Sequence, residues 1–221
     1  MTELSNETAS GYWYFDILSP YAYLQRQHLR RAPLNIELIP VPILFAGLLK
    51  AWKTKGPAEI PAMRLQTYRY CQWLAARAGI PFRMPPRHPF NPLRGLRLIL
   101  ALGTTPEIID RVFRFVFAEG QDIEDAAAWR ALTAELHVPD ADARLADPRV
   151  KTELIQNTER AIARGVYGVP TVAYRGELFW GNDVTDMLRE FIRDPTLFRR
   201  DPMRRAAEVT IGAERQQAPL T

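Results

Sequence analysis

Residues 11–24 read Gly11-Tyr12-Trp13-Tyr14-Phe15-Asp16-Ile17-Leu18-Ser19-Pro20-Tyr21-Ala22-Tyr23-Leu24, and this stretch decides the fold. Residues 12–16 alternate bulky β-formers after Gly11, the pattern of a short strand buried at the centre of a sheet. Ser19-Pro20 follows at once. Serine is a favoured N-cap and proline a favoured first helical residue, so a helix is expected from Ser19 through Tyr21, Leu24 and Leu29 to Arg31. A second strand is expected over residues 35–41. The crossover makes a β-α-β unit whose two strands are parallel.

Working outward, residues 43–164 carry no strand pattern. Segments 63–78, 93–102, 107–118 and 126–136 repeat apolar residues at helical spacing. Gly79-Ile80-Pro81, Pro85-Pro86 and Thr104-Thr105-Pro106 interrupt the pattern, and Asp147-Pro148 opens a further helix that reaches Arg164. After Gly165 the period returns to two: residues 171–174 and 178–180 form a hairpin around Arg175-Gly176. Asp183 is expected to cap a last helix through Met187, Leu188, Phe191 and Ile192. The fold class is therefore α/β, a thioredoxin-like domain with a large all-helical insertion. Its expected division is residues 10–42 and 165–194 for the discontinuous thioredoxin-like part, 43–164 for the insertion, and 195–221 for a C-terminal extension.

Composition narrows the function classes. With 221 residues, 47% of them hydrophobic, the chain can bury a real core and is neither disordered nor fibrous. Only Lys50, Lys53, Lys55 and Lys151 among its 29 basic residues are lysines, and the basic residues are mostly interleaved with Asp and Glu. The exception is Arg199, Arg200, Arg204 and Arg205, which read as a solvated or subunit-covering extension rather than a nucleic-acid surface, since Phe198 is the one aromatic beside them. The single cysteine, Cys71, excludes an internal disulfide and a Cys-x-x-Cys pair, and it reads as a packed residue. His28, His88 and His137 show no ligand spacing, so no metal site is expected. No stretch reaches the roughly 18 apolar residues of a membrane span, and the start, MTELSNETASGYWYF, lacks a charged segment followed by an apolar run. A cytoplasmic protein with neither membrane nor nucleic-acid partner is expected.

Three segments have the residue types for chemistry. Ser19 lies between a strand and a helix N-terminus, where unpaired N–H groups and the helix dipole favour an anion. The four residues Ser19-Pro20-Tyr21-Ala22 stand where redox proteins of this plan carry Cys-x-x-Cys. Without either sulfur, disulfide exchange by this chain alone is excluded. Taken locally, Ser19 is only an N-cap. Val169-Pro170-Thr171 places a proline, of a type that can be cis, directly before a strand, which suits pairing with an extended peptide; alone, it is an ordinary strand start. Trp180-Gly181-Asn182-Asp183 ends a hairpin at a helix N-terminus, suited to a carboxylate on N–H groups and an ammonium on Asp183, or simply to capping.

In order and spacing the three segments resemble the 2-hydroxychromene-2-carboxylate isomerase family, a relative of the kappa-class glutathione transferases among the DsbA-like thioredoxin folds. The residues that carry the resemblance are the block from Tyr14 to Leu24, then Gly165-Val166-Tyr167-Gly168-Val169-Pro170-Thr171, then Glu177-Leu178-Phe179-Trp180-Gly181-Asn182-Asp183. A looser match runs through Gly79-Ile80-Pro81-Phe82 and Pro89-Phe90-Asn91-Pro92-Leu93-Arg94. Residues 70–73 read Tyr-Cys-Gln-Trp where the family commonly carries an acidic residue and an arginine, and residues 53–61 align poorly. The resemblance implies a bound glutathione with a working thiol. Ser19 then hydrogen-bonds the sulfur, and Val169 pairs with the tripeptide ahead of a cis Pro170. Trp180, Gly181, Asn182 and Asp183 hold its γ-glutamyl end, while Tyr21, Lys50 and Asn91 line the pocket for an aromatic small-molecule substrate. It further implies a homodimer.

Overall fold

The protein is described by a computed structural model over residues 10–213; the N-terminal start and the end of the expected extension, 214–221, lie outside the described residues. Strand β1 (Ser10–Phe15) is inside a four-stranded sheet. Helix α1 (Pro20–Arg31) crosses from it to β2 (Glu37–Pro42), which pairs with β1 in parallel. Then come α2 (Phe45–Ala51), α3 (Pro61–Arg77), α4 (Leu93–Ala101), α5 (Pro106–Phe117), α6 (Ala126–Glu135), α7 (Ala141–Ala146) and α8 (Pro148–Ala163). The chain returns to the sheet as β3 (Thr171–Tyr174), antiparallel to β1, and β4 (Glu177–Trp180), giving the order β2-β1-β3-β4.

The elements follow the expected punctuation closely, with two additions between β2 and β3, α2 and α7. Both are short, and neither has a side-chain cap hydrogen bond to announce it. Pro40 sits within β2 opposite Trp13, which the sheet tolerates because β2 is an edge strand. The hairpin turns on Arg175 (φ 51°) and Gly176 (φ 87°), the paired left-handed conformations of a two-residue turn that matches strand twist. The last helix, α9 (Thr185–Arg193), begins two residues beyond Asp183, the cap expected from sequence.

Alternation along β1 sends its side chains to two cores. On one face Trp13 and Phe15 stack at 4.5 Å, and Phe15 packs 5.7 Å from Phe113 of α5. Tyr23 of α1 lies 6.2 Å from the same Phe113 ring. On the other face Tyr14 packs with Ile43, Leu48, Ala161, Val166 and Val169. Arg164, just past α8, donates to the Tyr14 hydroxyl at 2.9 Å and covers the Tyr12 ring at 4.3 Å.

Among the described residues, 10–185 form one compact unit and 186–213 a second, smaller one. Within the second, Phe191 and Phe198 stack at 4.9 Å, Arg200 pairs with Asp194 and Glu190, and Arg204 pairs with Asp201 and Glu208 before and after the short α10 (Met203–Ala206). Arg200 and Arg204 are thus internally compensated by carboxylates.

Phe15 is fully buried and shared between two ring contacts, so Phe15→Ala leaves a cavity in the larger aromatic core. Urea denaturation is expected to show a loss of about 3–5 kcal/mol with an unchanged slope.

Candidate active site

Ser19 is the N-cap of α1. Its backbone is extended (φ −87°, ψ 112°), and its Oγ accepts the Ala22 N–H at 3.2 Å. The hydroxyl proton points to the Val169 carbonyl, 150 residues away in sequence, at 3.4 Å. That is long for an O–H···O bond, so the proton is weakly held.

The segment on the other side of this contact has a free main-chain donor. The Val169–Pro170 bond is cis, and the Val169 N–H has no hydrogen-bond partner among the described residues. Pro170 accepts the Gly181 N–H at 2.8 Å, which ties the end of β4 to this loop. Gly181 has φ 102°, and the Asp183 carboxylate lies 2.5 Å from where a Cβ would stand, so only glycine fits there. The Trp180 indole, about half exposed, fills the space that Gly168 leaves by lacking a side chain, and it meets Tyr167 edge-on at 5.1 Å.

Helix α1 supplies the remaining support. Gln25, buried, receives the Trp13 indole N–H at 2.8 Å and donates to the Gly181 carbonyl at 2.9 Å and to Thr185 Oγ1 at 3.2 Å. One turn on, His28 Nδ1 lies 2.9 Å from Asn182 Oδ1 and must carry the proton, since an amide oxygen only accepts. Asn182 thereby keeps its amide N–H groups for other partners. Asp183 is exposed at the mouth of the same turn.

Ser19, Val169, Pro170 and Gly181 are therefore joined by hydrogen bonds, with Trp180, Asn182 and Asp183 flanking Gly181. The three residues expected to line a substrate pocket are not joined to this set. The Tyr21 ring lies toward α3, 6.5 Å from the Tyr70 ring. The exposed Asn91 spends its side chain on the Leu93 N–H at the start of α4, and Lys50 is exposed in the last turn of α2. Cys71 is buried, and desolvation pushes its thiol up to about 12, which suits a packed side chain and not a nucleophile.

Beneath Ser19 lies Asp16, fully buried. Its two oxygens accept the Leu18 N–H at 2.9 Å and the Phe45 N–H at 2.8 Å, while its own carbonyl accepts the Ser19 N–H at 3.0 Å. Burial raises the carboxyl to about 7, against the opposing pull of those two N–H groups. Asp16, Gln25 and His28 were not singled out from sequence as site residues. The available signal was in α1, where Gln25 and His28 stand three apart, one turn of the helix, beside the apolar Leu24 and Leu29.

Residues 12–193 match the model of the DsbA-like thioredoxin domain. The chain belongs to this DsbA-like family. Within it, the chain is 26% identical over 193 residues to a 2-hydroxychromene-2-carboxylate isomerase of Sphingobium xenophagum, covering 82% of this chain and 97% of that one. It is also 26% identical over 200 residues to human glutathione S-transferase kappa 1, covering 81% and 88%. A solved 2-hydroxychromene-2-carboxylate isomerase superposes with a TM-score of 0.75 at 22% identity, covering 91% of this chain and all of that one, which establishes the shared DsbA-like fold. No described helix is long and apolar enough to cross a membrane, and the described residues hold no cluster of three or more His, Cys, Asp or Glu placed for a metal ion.

Asp16 gives a pH signature. The folded chain keeps this proton up to about 7, whereas the unfolded chain releases it near 3.8, so ionisation in the fold costs stability. Wild type should lose stability relative to Asp16→Asn as the pH rises from about 4 to about 7, by a few kcal/mol at about 1.4 kcal/mol per unit, and the difference should then level off. Thermal unfolding of both proteins across that range reads the trend; a pH-independent gap would assign Asp16 an ordinary pKa.

Proposed function

We propose that the protein is a glutathione-dependent isomerase of 2-hydroxychromene-2-carboxylate or a similar unsaturated oxo-acid from aromatic catabolism. The observation that carries this reading is the 3.4 Å contact between the Ser19 hydroxyl and the Val169 carbonyl, beside a Val169 N–H with no partner of its own. A carbonyl and an N–H on one residue are what the backbone of a short peptide needs for pairing. Gly181, with no side chain over the turn, and the exposed Asp183 suit a terminal carboxylate and ammonium. The residues present thus fit glutathione: Ser19 at the sulfur, Val169 at the cysteinyl backbone, and Trp180 to Asp183 at the γ-glutamyl end.

Ser19 has one proton and gives it weakly to Val169. When a peptide N–H takes over the Val169 carbonyl, that proton is released to turn toward the sulfur, while Oγ keeps its bond from Ala22. A thiol near pKa 8.5 needs about 2 kcal/mol to ionise at neutral pH. A hydrogen bond to the charged form contributes about 1.5–3 kcal/mol and the N-terminus of α1 about 0.3–1 kcal/mol, so the two suffice without ionising Ser19 itself. Glutathione, when bound, supplies a thiol that adds reversibly to a conjugated carbonyl compound, permits rotation about the former double bond, and leaves. The buried Asp16 and Gln25 hold the two turns that meet at Ser19 and Gly181.

Isomerisation is favoured over conjugation by the fit of the Ser19 and Trp180-Gly181-Asn182-Asp183 blocks to the isomerases, and by the near-complete coverage of the Sphingobium enzyme. A reduced cytoplasm suits a thiol-dependent enzyme whose one cysteine is unpaired, and we place the protein there, as a homodimer acting on a small aromatic substrate.

Calorimetry at millimolar glutathione should detect binding, and no heat at that concentration would end this reading. Ser19→Ala is expected to fold, losing about 1 kcal/mol as an N-cap, and to show less thiolate absorbance from bound glutathione near neutral pH. Turnover separates the two chemistries. An isomerase should convert the whole of the chromene carboxylate with sub-stoichiometric glutathione, whereas loss of one glutathione per product, with an aryl halide as acceptor, would make the protein a kappa-like transferase.

A further inference from the structure

The peptide bond that enters Ser19 is held from outside the thioredoxin-like strands. The Leu18 carbonyl accepts His88 Nε2 at 2.8 Å, the Leu18 N–H is on Asp16, and the Ser19 N–H is on the Asp16 carbonyl. A peptide plane fixed at both its C=O and its N–H cannot rotate, and because the Ser19 carbonyl is held on the other side by the Ala22 and Tyr23 N–H groups of α1, the φ of Ser19 and the direction of Cα–Cβ are set. His88 belongs to the loop between α3 and α4, 70 residues along the chain from Leu18.

The ring itself is also fixed. A carbonyl only accepts, so Nε2 carries the proton and Nδ1 of the neutral ring is the acceptor. Tyr68 of α3 meets that need, with its hydroxyl 2.7 Å from His88 Nδ1. The same hydroxyl is 2.8 Å from the His88 carbonyl, so its single proton is shared between two acceptors of the one residue. Tyr68 and His88 also meet edge-on, ring centroids 5.2 Å apart. Burial keeps the imidazole below the usual histidine range, which maintains the neutral form with this tautomer at neutral pH.

We propose that His88 is a positioning residue of the site: through the Leu18 carbonyl it fixes the Ser19 turn, with Tyr68 selecting its tautomer, and thereby makes the helical insertion a determinant of the acidity of a thiol held at Ser19. The last clause rests on the glutathione reading; the fixing of the turn does not. Gln25 and His28 act on the Gly181 side in the same way, from within α1, whereas His88 and Tyr68 act from the insertion. The insertion is thereby more than a cover over the sheet.

The test uses the full chain and three substitutions. His88→Phe keeps a ring and removes the donor; His88→Gln keeps an N–H near Nε2; Tyr68→Phe leaves Nε2 in place but frees the tautomer. Amide hydrogen exchange, without ligand, should show Ser19 exchanging about tenfold faster in His88→Phe, the loss of one ordinary hydrogen bond, while Val172 in β3 is unchanged. His88→Gln should restore the wild-type rate, and Tyr68→Phe should fall between. Thiolate absorbance of bound glutathione at neutral pH should drop in His88→Phe and recover in His88→Gln. An unchanged Ser19 rate, or acceleration of Ser19 and Val172 alike, overturns the positioning role. If His88→Phe does not fold, imidazole nitrogen shifts of the wild type decide instead: Nε2–H supports the proposal and Nδ1–H overturns it. Wild type that binds no glutathione ends the reading of the previous section, and the exchange rates still decide the role of His88.

Discussion

Asp16 is buried with backbone N–H groups, not a cation, as its hydrogen-bond partners, and the geometry of the site begins there. A carboxyl so placed is costly unless its oxygens are met by donors, and Leu18 and Phe45 provide them from two different segments. One segment is the turn into α1; the other is the first residue of α2. The cost of burying Asp16 is therefore offset only when β1, the Ser19 turn and α2 are assembled together. Thr158 of α8 adds a second tie, accepting the Leu44 N–H at 3.0 Å with its hydroxyl, and Asn157 donates to the Pro42 carbonyl at 3.3 Å. The junction of β2 with α2, on which Asp16 depends for its Phe45 donor, is thus locked by polar contacts inside a mostly apolar core.

From that anchor the site is built by two sets of polar side chains. Gln25 and His28 hold the Gly181–Asn182 turn from α1, and His88 holds Leu18 from the insertion. Ser19 itself is left with its weakest bond toward Val169. In the proposed reading this distribution gives a binding site rigid support and leaves a labile proton where the ligand would sit. It also accounts for a DsbA-like fold without a cysteine in the chain's own first turn. A serine at the N-terminus of α1 retains a hydrogen-bond donor and the local field, and in the glutathione reading proposed above the thiol of that ligand would take the place of the missing sulfur.

Much of the architecture was readable locally. Period-two patterning marked β1 and the β3–β4 hairpin, Ser19-Pro20 marked the start of α1, and the Gly and Pro breaks bounded α3, α4 and α5, because caps and periodicity act over a few residues. Helices α2 and α7 were missed for the same reason: with seven and six residues they have little periodicity, and no side-chain cap bond marks their starts. The packing of Tyr21 beside Tyr70 depends on how α1 meets α3, a choice that α1 alone does not encode.

The sequence by itself determined the order of the elements, the serine at the helix start, the proline before β3 and the absence of any redox pair. What only the tertiary structure decided is which polar groups meet: Ser19 with Val169 across 150 residues, Gln25 with Gly181 across 156, His88 with Leu18 across 70. Local propensity is a property of neighbouring residues and repeats along the chain, so it can be read from one segment at a time. A hydrogen bond between distant segments exists only after the sheet and helices have packed, and a single glutamine or histidine leaves no periodic trace of the partner it will find.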